Sequence, residues 1–320
     1  MQSLLERFHA VFAELNQLRW WFESSKIFRY AALAAVHCAG EPKPLAKEIH
    51  EHAGRLRRLA GWFGDLRSEL RYVIAAVLVL YDDEPEAFHR AFKNTRSLFR
   101  AAGVRRDSTY ELLSVVVLRT GLGLREIDAE LVERMHAIFR EMQRYEWWLT
   151  SAEDLPACAM LALQPEPVGL ILQELDQIYG GMHTEGFSRG DELQSSAHLL
   201  YLAKGRAELS VSRAGELLRA FKSQRVTIRR GDYDEIALLA FLTVKPEALV
   251  AQVIQYRDEI RKTRPRVDMR AALNIAANLV FMDCVRADDE LLQISEIKLI
   301  VDLQAMVAAQ RAAAAVAAAS

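Results

Sequence analysis

Apolar runs return along this chain at a nearly constant interval. Six runs each end in a large apolar residue, and these ends follow one another 38–45 residues apart: Leu80, Leu118, Leu163, Leu202, Leu242 and Met282. An earlier run, FRYAALAAV, ends at Val36. Recurrence at a fixed period of this size is the signature of a repeat protein, whose units bury their apolar faces against one another.

The runs are predicted to be helices, because they are rich in alanine and several exceed ten residues. Three follow the spacing of a capping box, in which a short polar residue and an acid three positions later satisfy each other's free N–H groups: Ser108 with Glu111, Thr150 with Glu153 and Asp232 with Glu235. Single capping residues precede the others: Ser25, Ser68, Asp191 and Asp268. We name these apolar helices the B helices.

More polar segments between the runs carry one apolar face each, as in EAFHRAFKNTRSLFRAA, and are predicted to be amphipathic A helices. Several begin with Pro and Glu, as in DEPEAF and KPEALV. Proline lacks the N–H that stays unpaired in a first helical turn, and an acid there complements the helix dipole. The unit is therefore an A helix, a loop and a B helix, with the B helices forming the inner layer.

These units predict an all-α fold of about seven helical hairpins of ~40 residues. They stack either as an α-solenoid or as a closed α/α toroid, and the period alone leaves both open. From about residue 289 the chain is predicted to form an Ala-rich C-terminal helix, which docks against the last repeats or inside the ring through Gln310 and Arg311. No linker interrupts the pattern, so residues 1–320 are treated as one domain.

Composition excludes several classes of function. A net charge of −2 gives no overall reason to expect nucleic acid or an anionic membrane as partner. Cys38, Cys158 and Cys284 are far apart and form no Cys/His cluster, so neither metal nor a disulfide framework is expected. No nucleotide, hydrolase or zinc-protease motif occurs, and no cofactor is expected. Without a signal peptide or a long apolar span, the protein is expected in the cytoplasm.

Charge is segregated by type of connection. The connections from an A helix to the next B helix carry arginines: Arg57, Arg58, Arg67, Arg105, Arg106, Arg189, Arg229, Arg230, Arg264 and Arg266. The connections from a B helix to the next A helix carry acids: Asp82, Asp83, Glu84, Glu86, Glu166, Glu247, Asp288 and Asp289. Like connections share one side of a hairpin array, which predicts a basic A–B edge opposite an acidic B–A edge.

The stretch EGFSRGDELQSSAHLL (185–200) is one of these A–B connections. Ending one helix and capping the next explains most of its residues. The remaining polar groups at the starts of B helices would converge on one end of the inner wall. Our ligand-binding candidates are Ser68, Arg71, Thr150, Asp154, Arg189, Gly190, Asp191, Gln194 and His198.

Structural roles compete with ligand binding for these groups. His198 and Asn274 also fit satisfied core residues. Arg71, Glu111, Asp154 and Glu235 also fit ion pairs between repeats. The paired tryptophans Trp20-Trp21 and Trp147-Trp148 are expected in the core, with anchoring of a peptide or flat ligand as the alternative.

Three stretches resemble a bacterial family catalogued as domain of unknown function 4003: FGDLRSELRYVIAA, WLTSAEDLPACAMLA and GFSRGDELQSSAHLL. The family's blocks end in an Arg, a Pro and a Ser-His pair, and its Ala-rich tail contains a Gln. This chain departs from them with Glu153 for an Asp, Arg67 and Arg189 for Lys, and Asp191-Glu192 for an Asn-Asp pair. The resemblance groups these residues and implies no chemistry.

The expected function is a non-enzymatic scaffold that binds a protein or an anionic ligand at the basic A–B edge. The alternative is a toroidal enzyme or small-molecule binder with a pocket lined by Arg71, Asp154, Gln194 and His198.

Overall fold

Amphipathic helices and more apolar helices alternate along the described chain. The structure is a computed structural model that describes residues 3–60, 64–104, 107–144, 151–202, 207–285, 294 and 298–300. Within these ranges there is no β-strand, and the α-helices with described bounds are α1 (Leu4–Gln17), α2 (Ser25–Ala34), α3 (Pro42–Leu59), α4 (Arg71–Leu80), α5 (Pro85–Ala101), α6 (Ser108–Gly121), α7 (Ala129–Met142), α8 (Leu155–Ala162), α9 (Val168–Thr184), α10 (Asp191–Tyr201), α11 (Ala207–Ser223), α12 (Tyr233–Leu239), α13 (Pro246–Lys262) and α14 (Met269–Val285). The all-helical prediction is thereby confirmed for the described residues.

The odd-numbered helices are the predicted A helices and the even-numbered ones the B helices. Each odd helix packs against the next odd one from α1 to α13, and the even helices pack in series from α6 to α14, as α2 does on α4. Helix α3 buries only one stripe, which includes Leu45, Ile49 and Leu56, whereas every residue of α8 is buried. The two layers therefore follow from sequence, since an amphipathic helix needs cover on one face and an apolar helix on all of them.

The first and last described helical pairs touch each other. Helices α1 and α2 both contact α14. The Arg29 side chain of α2 is buried, and its Nη1 donates to the Thr263 hydroxyl at 3.0 Å while Nη2 donates to the Pro265 carbonyl. Its guanidinium also lies 4.0 Å from the centre of the Phe12 ring, a cation–π contact. The connection between α13 and α14 is thus fastened to α2.

Several predicted caps are wrong by one or two residues. Asp107, not Ser108, caps α6 by accepting the N–H groups of Thr109 and Tyr110. Ser24, not Ser25, caps α2 through the N–H of Lys26. A short polar residue next to the actual cap offers the same side-chain oxygen, so sequence spacing alone does not separate the two.

Of the other predicted caps, those of α4 and α10 and the capping box of α12 are wrong, and the cap of α14 is confirmed. Position 70, not Ser68, precedes α4, and Gly190 rather than Asp191 precedes α10. Asp232 accepts the N–H of Arg229 instead of pairing with Glu235. The predicted cap of α14 is confirmed, because Asp268 accepts the N–H of Ala271 at 2.8 Å.

Arginines of two A helices hold the B–A edge together in the same way. Arg134 of α7 donates to the carbonyls of Ala162 at 3.0 Å, Gln164 at 2.7 Å and Glu166. Arg7 of α1 donates in the same way to three alternate carbonyls of the α2–α3 connection, those of residues 36, 38 and 40. Each guanidinium satisfies carbonyls that the end of a B helix leaves unpaired.

Part of the predicted C-terminal helix is described at residues 294 and 298–300, which are helical and buried. Lys298 is fully buried, and its Nζ lies 3.2 Å from Oε1 of Glu235 in α12. The Ala-rich tail itself, with Gln310 and Arg311, lies outside the described residues. Among the described helices, none combines the length and apolar character that crossing a bilayer requires.

Candidate functional site on the A–B edge

Neighbouring A–B connections lie side by side on one edge. The Ser24 N–H donates to Oε1 of Glu69 at 2.8 Å, which joins the first connection to the second. The Ser188 N–H donates to the Tyr233 hydroxyl at 3.0 Å, which joins the fifth connection to the start of α12. Arg270 of α14 donates to the Gly231 carbonyl at 2.7 Å. In the described parts of the chain, these contacts hold neighbouring A–B connections together on the A–B edge.

Arg71 forms a buried ion pair on this edge. Its Nη2 lies 2.5 Å from Oε1 of Glu23, which also accepts the Tyr72 hydroxyl at 2.8 Å. Its Nη1 donates to the carbonyls of Arg67 and Ser68, and the Ser68 side chain is exposed. Burial and the bond to Glu23 raise the pKa of Tyr72 to about 12, so this phenol keeps its proton. The Arg71 guanidinium therefore links the start of α4 to the connection between α1 and α2.

Asp154 and Asp191 lie near each other where α8 and α10 begin. Burial raises the pKa of Asp154 to about 7, and repulsion from Asp191 and Glu153 adds to the shift. Its Oδ2 accepts the Ser151 N–H at 2.9 Å, an interaction that opposes the shift. Burial and Glu192 also raise the pKa of Asp191. Near pH 7 Asp154 is therefore about half protonated, which the residue type alone does not imply.

The remaining candidates occupy different environments. Gln194 and His198 are buried in α10, and burial lowers the pKa of His198 to about 4, so its ring is neutral at pH 7. Arg189 is exposed, and Gly190 has φ +146°, a backbone region that favours glycine. Thr150 lies outside the described residues. Among these candidates, Asp154 and Asp191 are two ionisable groups from different helices that influence each other's charge.

Two further polar groups form interhelical contacts. Glu235 Oε1 accepts the Asn274 side-chain amide at 2.6 Å and the Lys298 ammonium, so all three belong to one buried network. Glu111 of α6 accepts a hydrogen bond from Nε of Arg96 of α5 at 2.8 Å. In the described part of the chain, no group of three or more His, Cys, Asp or Glu side chains is placed to hold a metal ion.

A basic cleft of about 630 Å³ opens where α13 meets the A–B edge. Its polar lining consists of Arg257, Asp258, Arg261, Lys262, Arg264 and Arg266. Arg257 pairs with Asp258 at 2.8 Å, and Lys262 pairs with Glu259. The other three arginines are exposed, and no ion pair to a described acid engages them.

An acidic cleft lies at the opposite edge, where α9 and α11 begin. Its volume is about 600 Å³, and its lining includes Glu166, Glu174 and Glu208 together with the exposed Leu170 and Leu209. Burial and repulsion from Glu166 raise the pKa of Glu174. The two clefts carry the charges that the segregation of arginines and acids along the sequence suggests.

The prediction that Trp20 and Trp21 pack in the core is wrong. Their side chains are 58% and 88% exposed, and the neighbouring Phe22 is 62% exposed. The Trp20 N–H donates to the buried Glu23 carboxylate at 3.0 Å, whereas the rings of residues 20–22 are exposed to solvent. Trp147 and Trp148 lie outside the described residues.

The model of the family described as Protein of unknown function (DUF4003) matches residues 11–312. The chain belongs to this family. It is also similar to Uncharacterized protein YeaA of Bacillus subtilis (strain 168), with 21% identity over 258 residues, 80% of this chain and 76% of YeaA. No solved structure gives a significant match.

The predicted membership of DUF4003 is thus confirmed, while the cleft-lining part of α13 was missed. In this DUF4003 protein, Arg264 and Arg266 were predicted among the basic residues of the A–B edge. Arg257 and Arg261 lie in the amphipathic segment that begins with KPEALV and were not among those residues, although four residues apart they share one face. A search for arginines at helical spacing just before a basic connection would have found them.

Proposed function

We propose that this DUF4003 protein is a binding scaffold that holds an anionic ligand in the basic cleft of its A–B edge. The observation that carries the proposal is the convergence of Arg261, Arg264 and Arg266, all exposed, on one cleft without described acid partners. A guanidinium binds a carboxylate or phosphate through two parallel hydrogen bonds, so three of them in one cleft suit a ligand with several anionic oxygens.

Helix electrostatics do not account for the whole cluster. Cations near the end of α13 compensate the negative end of its dipole, which explains Arg261 and Lys262. Arg264 and Arg266 lie beyond that helix, close to the start of α14, where a cation is unfavourable. Their placement therefore has a local electrostatic cost, which an anion in the cleft would offset.

Calorimetry with inorganic pyrophosphate as the probe tests the proposal. The variant R261A/R264A/R266A removes three cations from the cleft, whereas K43A/K47A/R90A removes three exposed cations near the opposite edge. We expect the first variant to weaken binding by about tenfold or more and the second to leave it within about twofold. Absence of binding to the unaltered protein, or equal weakening by both variants, would refute the proposal.

We also propose that about seven A–B hairpins close into an α/α toroid rather than an open solenoid. The support is the contact of α1 and α2 with α14, together with the bonds from Arg29 to Thr263 and Pro265. An open array leaves its terminal repeats exposed, whereas a ring lets each cover the other.

The alternative pocket finds less support. Its Arg71 is already engaged by Glu23, and only Asp154 among its four residues has the shifted pKa expected of a group that transfers protons at neutral pH. We therefore favour a binding role over an enzymatic one.

A further inference from the structure

The connection between α1 and α2 presents an aromatic tip, formed by Trp20, Trp21 and Phe22. The Trp20 and Phe22 rings stack with centroids 6.2 Å apart, and Trp21 meets Phe22 edge to face at 5.6 Å. All three side chains are more than half exposed. Single exposed apolar residues are ordinary on a protein surface, but a contiguous exposed cluster marks a surface that binds something.

Buried polar groups beneath the tip hold its backbone in place. Glu23 is 3% exposed, and its Oε2 accepts the Trp20 N–H at 3.0 Å while its Oε1 accepts from Arg71 and Tyr72. The Ser24 N–H is bound by Glu69. Burying an ion pair has a large desolvation cost. Here the ion pair between Glu23 and Arg71 orders a segment that buries little apolar area of its own. The aromatic exposure therefore belongs to an ordered loop rather than to a frayed helix end.

Arginines lie on both sides of the aromatic tip. Glu69, which binds Ser24, is two residues from the exposed Arg67. On the other side, Arg29 of α2 bonds to Thr263 and Pro265, so the neighbouring connection is the one that carries Arg264 and Arg266. The edge therefore combines an apolar tip with flanking cations, although the whole chain is slightly acidic.

We propose that this edge docks on an anionic lipid bilayer, with Trp20, Trp21 and Phe22 inserted among the headgroups and the flanking arginines over lipid phosphates. Aromatic rings with a polar group, tryptophan above all, favour the membrane interface, and each cation near an anionic surface adds to the attraction. Trp20 and Trp21 lie in the connection between α1 and α2, which belongs to the A–B edge.

Shape favours a bilayer over a protein partner. Hot-spot residues of protein interfaces fill pockets, and surrounding contacts exclude water from them. Trp21 is 88% exposed and is not enclosed in a pocket, as suits insertion into a soft, planar surface. The proposal shares Arg264 and Arg266 with the cleft of the proposed function, but its apolar contribution comes from a separate loop.

Co-sedimentation with lipid vesicles tests the proposal, using vesicles of phosphatidylcholine with about 30% phosphatidylglycerol beside vesicles of phosphatidylcholine alone. We expect the unaltered protein to bind the anionic vesicles and its tryptophan emission to shift to shorter wavelength. W20A/W21A/F22A should lower the partition coefficient by about tenfold or more, because it removes the inserted area. The control L170A/L209A removes exposed apolar residues from the acidic cleft and should leave partitioning unchanged.

Pyrophosphate binding separates this proposal from the preceding one. W20A/W21A/F22A should keep its affinity for pyrophosphate, whereas R261A/R264A/R266A should lose that affinity and retain part of its vesicle binding. If the triple loop variant fails to fold, W21A replaces it, since Trp21 is the most exposed of the three. The proposal is wrong if the unaltered protein ignores anionic vesicles, or if the folded loop variant partitions as well as the unaltered protein. Binding to an acidic peptide with no vesicle binding would likewise overturn it.

Discussion

At the residue scale, burial changes the chemistry of individual side chains on the A–B edge. His198 is held neutral and Asp154 is held near its point of half-protonation, with burial as the main cause in both cases. In the sequence both residues stand out as polar groups on apolar helices. Their protonation states cannot be predicted from sequence, because burial depends on which helices cover each position.

Asp154 makes the stability of the fold depend on pH between about 4 and about 7. Its folded pKa of about 7 lies above the ordinary value of 3.8, so the folded state retains a proton that the unfolded state has lost. The free energy of unfolding should therefore fall as pH rises through this window, and the Asp154 contribution is favourable only at its acidic end.

Urea unfolding of the unaltered protein and of Asp154→Asn between pH 4 and 8 measures this contribution. Asparagine can still accept the Ser151 N–H but cannot ionise. The advantage of the unaltered protein over the variant should decrease steadily with rising pH. As a second check, Asp191→Asn should lower the pKa of Asp154, measured by carboxyl NMR titration. A difference between the two proteins that is constant with pH would contradict the assignment.

At the element scale, local sequence patterns predicted the positions of the helices but not their exact capping residues or the side-chain contacts between helices. Proline at the start of α3, α5 and α13 and the apolar period placed these helices correctly. Glu111 illustrates the limit. Its spacing from Ser108 indicates a capping box, yet the structure pairs it with Arg96 of the preceding helix. A charged partner across a helical pair competes with a backbone N–H, and the sequence spacing is the same in either case.

Arg134, which donates hydrogen bonds to the α8–α9 connection, should contribute strongly to stability. Arg134→Ala leaves the carbonyls of Ala162, Gln164 and Glu166 without their donor, and we expect it to lower the free energy of unfolding by about 2–3 kcal/mol. Arg140→Ala, at an exposed position of the same helix, should change it by no more than about 0.5 kcal/mol. Denaturant unfolding of both variants provides the comparison, and similar values for the two would show that these bonds contribute little.

At the scale of the whole molecule, the contact of α1 and α2 with α14 is the observation that supports the proposed ring over an open array. Arg29 remains charged although burial lowers its pKa to about 10, and its partners lie more than 230 residues away in sequence. No local pattern marks this contact. FRYAALAAV resembles the other apolar runs, and its arginine is distinctive only in the folded molecule.

Hydrogen exchange of Arg29→Ala tests whether the α1–α2 and α13–α14 pairs stabilise each other. Loss of the charged hydrogen bonds and of the contact with Phe12 should lower stability by about 2–4 kcal/mol. In a closed ring, amides of both α1–α2 and α13–α14 should exchange faster, because each pair covers the other. Lys26→Ala, one turn earlier in α2, should leave exchange at both ends unchanged. Faster exchange confined to α1–α2 would indicate an open array.

The sequence alone determined the helical class, the order of amphipathic and more apolar helices, and the segregation of arginines from acids. Each of these follows from neighbours within a turn or a repeat, where periodicity, proline placement and helix electrostatics act locally. Only the tertiary structure decided that Arg71 faces Glu23, that Asp154 retains a proton near neutral pH, and that α2 meets the α13–α14 connection. It also placed Trp20 and Trp21 in solvent. Burial and long-range pairing depend on how the layers curve, and a repeat pattern does not contain that curvature.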